Sequence, residues 1–311
     1  MSNREDRLLE LGALAERLLP TPFVVEAIQG WFMEDGLGQG DVTSTSIVEP
    51  TDRVTASLVA REAMIVSGIE PLIRAFATPP LAGRLVMEQF VDEGMSVKPG
   101  TVIGRIQGGR RSVLAAERTI LNVLGRLAGV ASMTRRFVLA VEGTPAVICD
   151  TRKTTPGLRA WEKYAVACGG GTLHRLGLHD AALFKDNHLV GIPEAELHGR
   201  LEAACREARA GRELDFVEVE VDTLAQFDIV LALEAGLVDI VLLDNMRDED
   251  MREAVVRRDL AGSGIQLEAS GGINLDDACR VAGTGVERIA VGSVTRTAQI
   301  LDIGLDIQVD A

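Results

Sequence analysis

Residues 215–245 read DFVEVEVDTLAQFDIVLALEAGLVDIVLLDN. Two apolar, β-branched runs, DFVEVEVDT from Asp215 and VDIVLLDN from Val238, flank a stretch with helical spacing. Strands alternating with helices imply parallel βα units. Each run also ends in polar residues, Asp222-Thr223 and Asp244-Asn245. Outward from here the pattern repeats in AVICDTRK (from Ala146), AALFKDNH (from Ala181), IQLEASGG (from Ile265) and RIAVGS (from Arg288). Polar residues at the C-terminal ends of successive strands are where a βα barrel carries its chemistry. Six such strands fall short of the eight of a closed barrel, so either two are hidden in irregular sequence or the barrel is incomplete. A doubly wound sheet is the alternative, although polar ends on six strands suit a ring better than a single switch-point crevice.

The residues before these units differ in character. Residues 1–35 carry leucines near helical spacing, among them Leu8, Leu11, Leu14 and Leu18, and are expected to be helical. Residues 53–109 hold short β-like runs, and VDEGMSVKPGTVIGRIQG predicts a hairpin about Lys98-Pro99-Gly100. A long helix with no Pro and two Gly is expected from Ser112 to about Val141. No apolar run reaches the ~18 residues of a spanning helix, and the N-terminus lacks the apolar core of a signal peptide. The four cysteines form no CxxC pair, and free thiols in a cytoplasmic protein are expected.

Charge points to a ligand. The chain has 32 Lys and Arg against 46 Asp and Glu, yet Asp150–His188 holds Arg152, Lys153, Arg159, Lys163, Arg175 and Lys185. A basic pocket in an acidic protein suits a small anion, whereas a nucleic acid would be repelled by the overall field. In Thr151-Arg152-Lys153-Thr154, Arg152 offers a fork for a carboxylate or phosphate and Lys153 a point charge. His174-Arg175 follows three glycines that either bring the backbone close to a ligand or simply turn it. Lys185 at its strand end is read as a phosphate contact or, alternatively, as the nucleophile of a Schiff-base lyase. Glu218, Glu220 and Asp222 alternate and so share one strand face; Glu220 with Asp244 suits a divalent cation or sugar hydroxyls. Ser270-Gly271-Gly272 and Gly292-Ser293 end the last two strands, where βα barrels often hold phosphate. Together these suggest a phosphoribosyl donor and an acidic aromatic acceptor.

With these residues in view, the chain resembles the quinolinate phosphoribosyltransferases. The resemblance rests on GDVTS (40–44), ERTILN (117–122), DTRKTTPGLR (150–159), KYAV (163–166), GGG with HR (169–175), KDNH (185–188), EVEVDT (218–223), LLDN (242–245), EASGGI (268–273) and the closing LDIGLDI. It implies an N-terminal α/β sandwich (1–118, joined by 294–311) and an open, incomplete TIM-like α/β barrel (119–293). It also implies a homodimer with shared sites, in which the residue matching Arg118 reaches the neighbour. The implied reaction joins quinolinate to phosphoribosyl pyrophosphate with Mg²⁺, giving nicotinate mononucleotide, pyrophosphate and CO₂. Residues matching Thr151, Arg152, Lys153, His174, Arg175 and Lys185 would line the acceptor pocket. Glu220 and Asp244 would serve ribose and Mg²⁺, with Lys153, Glu220 and Asp244 catalytic. Ser270, Gly271, Gly272, Gly292 and Ser293 would hold the 5′-phosphate. Two positions depart from the family pattern: Leu173 stands where Asn is usual, and Arg296 where His is usual.

Overall fold

The structure is a computed structural model and describes residues 4–309. The chain divides into two compact units, Met1–Arg135 with Thr155–Gly170 and Thr297–Ala311, and Arg136–Thr154 with Gly171–Arg296. The division between the units falls after Arg135, inside the helix Arg110–Ala140. The reason is packing within the first unit. Gly169 lies against Ala131 and Thr134 of that helix, with no room for a side chain. Arg126 donates to Glu162 Oε1 at 2.7 and 3.0 Å, and the fully buried Glu162 also accepts from the Thr155 N–H at 3.0 Å.

The first unit holds β1 (Arg53–Ala60), β2 (Met64–Ile65), β3 (Leu85–Gln89), β4 (Ser96–Val97) and β5 (Val102–Gly109). The expected N-terminal helix is two, Arg4–Leu18 and Thr21–Glu34, because Pro20 between them has no N–H to continue the ladder; residues 1–3 lie outside the described residues. The predicted hairpin does not form. The turn itself is present, with Thr101 N–H donating to Lys98 O at 3.2 Å and Gly100 at φ +84°. However, β4 pairs with β2, whereas β5 is flanked by β1 and β3. The last strand of the chain, Ile303–Val309, completes an antiparallel sheet by pairing with β1, from Val54↔Val309 to Ala60↔Ile303.

The two glycines of the long helix also find their reason here. The backbone of 299–301 crosses them, so a Cβ on Gly125 would meet Leu301 O at 2.5 Å and one on Gly129 would overlap Gln299 O. Gly129→Ala is expected to lower stability by about 1–3 kcal/mol, the range for overpacking. A urea midpoint at or above wild type would contradict this close approach.

The second unit contains the six strands expected from the apolar runs: β6 (Val147–Cys149), β7 (Ala182–Phe184), β8 (Val217–Val221), β9 (Ile240–Asp244), β10 (Gln266–Ser270) and β11 (Arg288–Ala290). They form one parallel sheet in the order β6-β11-β10-β9-β8-β7. β6 and β7 are its edges and do not pair with each other, so the barrel is open. Strands β8 and β9 are buried along nearly their whole length; the apolar run of β9 suits this directly, and β8 does so with two glutamates on one face. Parallel strands point their C-terminal ends the same way, which gathers the strand-end residues at one rim.

Candidate active site

The two cationic segments meet because the chain after Gly171 runs back along the edge of β6. Thr172 N–H donates to Ile148 O at 2.8 Å, and Asp150 N–H to Thr172 O at 3.2 Å. The fully buried Asp150 then accepts the His174 N–H at 2.7 Å. The glycines that precede this segment act by turning and packing: Gly170 ends the helix Arg159–Gly169 in the left-handed region, at φ +92°.

The result is a cavity of about 310 Å³ lined by Thr151, Arg152, Lys153, His174, Arg175, Lys185 and Ser270, with Glu268 and the apolar Leu183, Leu242 and Ala290. Arg152 Nε is buried and has no hydrogen-bond partner among the described residues, which is costly unless a ligand supplies one. Burial and the neighbouring Arg152 guanidinium together depress the pKa of Arg175. Like charges crowded over apolar residues are a cradle for an anion with a flat hydrophobic body.

Of the other expected site residues, Glu220 is 8% exposed and paired with Lys185. Asp244 ends the adjacent strand β9 and accepts from Asn245 Nδ2 at 2.5 Å. Asn245 is the one described non-glycine residue with positive φ, at 53°. Gly271 (φ +103°) lies against its side chain, so no Cβ fits there. Ser270, Gly271 and Gly272 line a second hollow, of about 370 Å³, with Arg247 and Arg280. At Gly292 a Cβ would meet Lys153 Cδ at 2.9 Å, so this glycine lets the lysine cross the end of β11. Ser293 opens the short helix Ser293–Arg296. Arg118 is exposed on the helix of the first unit and does not line the cavity. His188 serves the chain itself, its Nδ1 accepting the Lys185 N–H at 2.9 Å.

The departures from the family pattern fall outside the cavity wall. Leu173 is half-buried and does not line it, and Arg296 is exposed. All four cysteines are free, and Cys149, Cys168 and Cys205 are buried.

A polar cluster unread in the sequence lies beneath this cavity. Glu218 and Glu268, both fully buried, flank His174 Nε2 at 2.9 and 3.4 Å. Arg288 Nε donates to Glu268 Oε2 at 2.8 Å. Phe216 meets the imidazole edge-on, with centroids 5.2 Å apart. Burial opposes a charge on His174, whereas the carboxylates of Glu218 and Glu268 favour one. The Arg175 N–H acts against that, because it donates to Nδ1 at 2.8 Å and so needs the Nδ1 lone pair. Nδ1 cannot accept this bond and carry a proton at once, so the ring in this arrangement is neutral with its proton on Nε2. Burial and Glu268 correspondingly raise the pKa of Glu218. The three side chains are spaced closely enough to ligate a metal ion. Arg288, bonded to Glu268, adds a cation beside the two carboxylates and makes the group an ion-paired cluster. The signal in the sequence was a carboxylate in the middle of each apolar strand, VEVEV and QLEAS.

Fold and site together define an open α/β barrel whose strand-end rim gathers cations over an apolar floor, then carboxylates, then glycine turns. Known proteins narrow this class. The N-terminal domain of the family described as quinolinate phosphoribosyl transferase matches residues 41–128, and its C-terminal domain matches 130–306. The chain belongs to the quinolinate phosphoribosyltransferase family. The nicotinate-nucleotide pyrophosphorylase (carboxylating) of Mycobacterium leprae is 42% identical over 268 residues, spanning 86% of this chain and 91% of the relative. The solved nicotinate-nucleotide pyrophosphorylase from Francisella tularensis superposes with a TM-score of 0.80 at 33% identity, covering 93% of this chain and 97% of that one. NadC from Streptococcus pyogenes gives 0.81 at 32%, covering 92% and 96%.

Proposed function

We propose that this chain is a pentosyltransferase that joins quinolinate to phosphoribosyl pyrophosphate, forming nicotinate mononucleotide, pyrophosphate and CO₂ in NAD biosynthesis. The observation that carries this reading is the cavity: Arg152, Lys153, Arg175 and Lys185 stand around Leu183, Leu242 and Ala290. The apolar side chains suit the pyridine ring and the cations suit its two carboxylates. Fixing both carboxylates aligns the ring nitrogen for attack on the ribosyl carbon, which converts binding into orientation.

The nitrogen's lone pair forms the new C–N bond while the bond to pyrophosphate breaks. Glu220 and Asp244 supply negative charge near a ribosyl centre that becomes cationic. The pyridine nitrogen is then positive. The C2–carboxylate bond cleaves, its electron pair stays on carbon beside N⁺, and that carbon takes a proton. Lys153, crossing Gly292, supplies positive charge toward the phosphate side, and the Ser270–Gly272 and Gly292–Ser293 turns suit the 5′-phosphate. No covalent enzyme intermediate is required. Lys185 is committed to its ion pair with Glu220, whereas a Schiff-base lyase needs a free amine there.

Glu220 and Asp244, on adjacent strands, form an oxygen-only donor pair of the kind Mg²⁺ takes together with phosphate oxygens and water. Bound there, Mg²⁺ would neutralise the leaving pyrophosphate. A homodimer in which Arg118 serves the neighbouring subunit's site belongs to the same reading, supported by its exposure and its place in ERTILN. A cytoplasmic location completes it; no helix among the described residues is long and apolar enough to cross a membrane.

Purified protein with phosphoribosyl pyrophosphate and Mg²⁺ is expected to release CO₂ and form nicotinate mononucleotide from quinolinate alone. Turnover of nicotinate in its place would overturn the assignment.

A further inference from the structure

His174 lines the acceptor cavity, yet it is only 6% exposed and both ring nitrogens are engaged by the protein. Nε2 faces Glu218 and Glu268, and Nδ1 accepts the Arg175 N–H at 2.8 Å. Neither carboxylate oxygen of Glu218 has a hydrogen bond of ordinary geometry among the described residues, and His174 Nε2 at 2.9 Å is the group placed to offset its burial. Glu268 is itself held by Arg288 at 2.8 Å, and Phe216 closes the ring's edge. These contacts leave the imidazole one tautomer and one orientation.

We infer that His174 is a positioning residue for Arg175. Glu218 and Glu268 keep the ring proton on Nε2, which leaves Nδ1 as the acceptor that pins the Arg175 backbone N–H and so fixes where its guanidinium enters the cavity. The logic is that of a carboxylate orienting a histidine whose other nitrogen does the work, with a backbone N–H in place of a metal or substrate. The inference rests on the proposed quinolinate site only for what Arg175 binds.

Two measurements test it. In full-length protein carrying ¹⁵N-histidine, the His174 signals, identified by their loss in His174→Gln, are expected to show Nε2 protonated and Nδ1 bare near neutral pH. A proton on Nδ1 would overturn the inference, and this readout needs no substrate. The second measurement uses steady-state kinetics. Gln reaches toward the Nε2 position and loses the acceptor for Arg175, whereas the Asn oxygen lies near the Nδ1 position. His174→Gln should raise KM for quinolinate about tenfold or more, the size expected for loss of an outer orienting partner. His174→Asn should recover most of that loss, and KM for phosphoribosyl pyrophosphate should stay nearly constant in both. Asn as the more damaging variant, or equal change in both KM values, would overturn the inference. If wild type does not turn over quinolinate at all, the functional reading fails while the tautomer measurement still decides the role of His174.

Discussion

Arg152→Ala should weaken quinolinate binding by about 2–5 kcal/mol, the cost of removing one partner from a desolvated charge pair. That corresponds to roughly thirtyfold or more in Kd. The basis is the buried Nε of Arg152, which has no hydrogen-bond partner among the described residues. Because the residue is half-buried, the lower half of that range is expected. Calorimetry of the binary complex measures it. The substitution also lifts the repulsion that depresses Arg175, so protein stability should hold or rise slightly while binding falls. Unchanged quinolinate affinity would remove Arg152 from the site.

Glu220→Gln should act on the other half of the reaction. Gln keeps the shape of the side chain and removes its charge. Lys185 then loses its ion-pair partner, and the ribosyl centre loses a nearby carboxylate. A drop in kcat of about 10²–10³ is expected, the scale for removing one preorganised electrostatic group. Quinolinate affinity should change far less, since Glu220 does not line the acceptor cavity. Wild-type kcat would exclude Glu220 from the chemistry. Loss confined to quinolinate affinity would instead assign its effect to Lys185.

Much of this fold was readable before any coordinates. Apolar-rich runs with β-branched residues became β6 to β11, because a parallel strand covered on both faces is largely apolar. The segments TRKT and HR were legible as a basic island, since clustered cations in an acidic chain need a counter-charge. The failures were about partners. Lys98-Pro99-Gly100 does make a turn, but local turn chemistry says nothing about which strands lie on either side, and β4 and β5 go to different sheets. The place of Gly125 and Gly129 in the long helix is explained only by the crossing of 299–301. Leu173 stood out against the family pattern, yet it is not in the cavity wall.

The carboxylates of β8 mark the division most clearly. Alternation alone determined that Glu218 and Glu220 share one face of one strand, because successive side chains must point to opposite sides. Depth along the strand was decided only by the tertiary structure. Glu220, two residues nearer the rim, meets Lys185 and the polar strand ends. Glu218, deeper, meets His174 and lies beside Glu268, which Arg288 holds, so that three other segments of the chain surround it. A two-residue period repeats itself identically at every level of a barrel, so it carries the face of each residue and nothing of its neighbours. Those neighbours turn one glutamate toward Lys185 at the rim and the other toward the histidine beneath it.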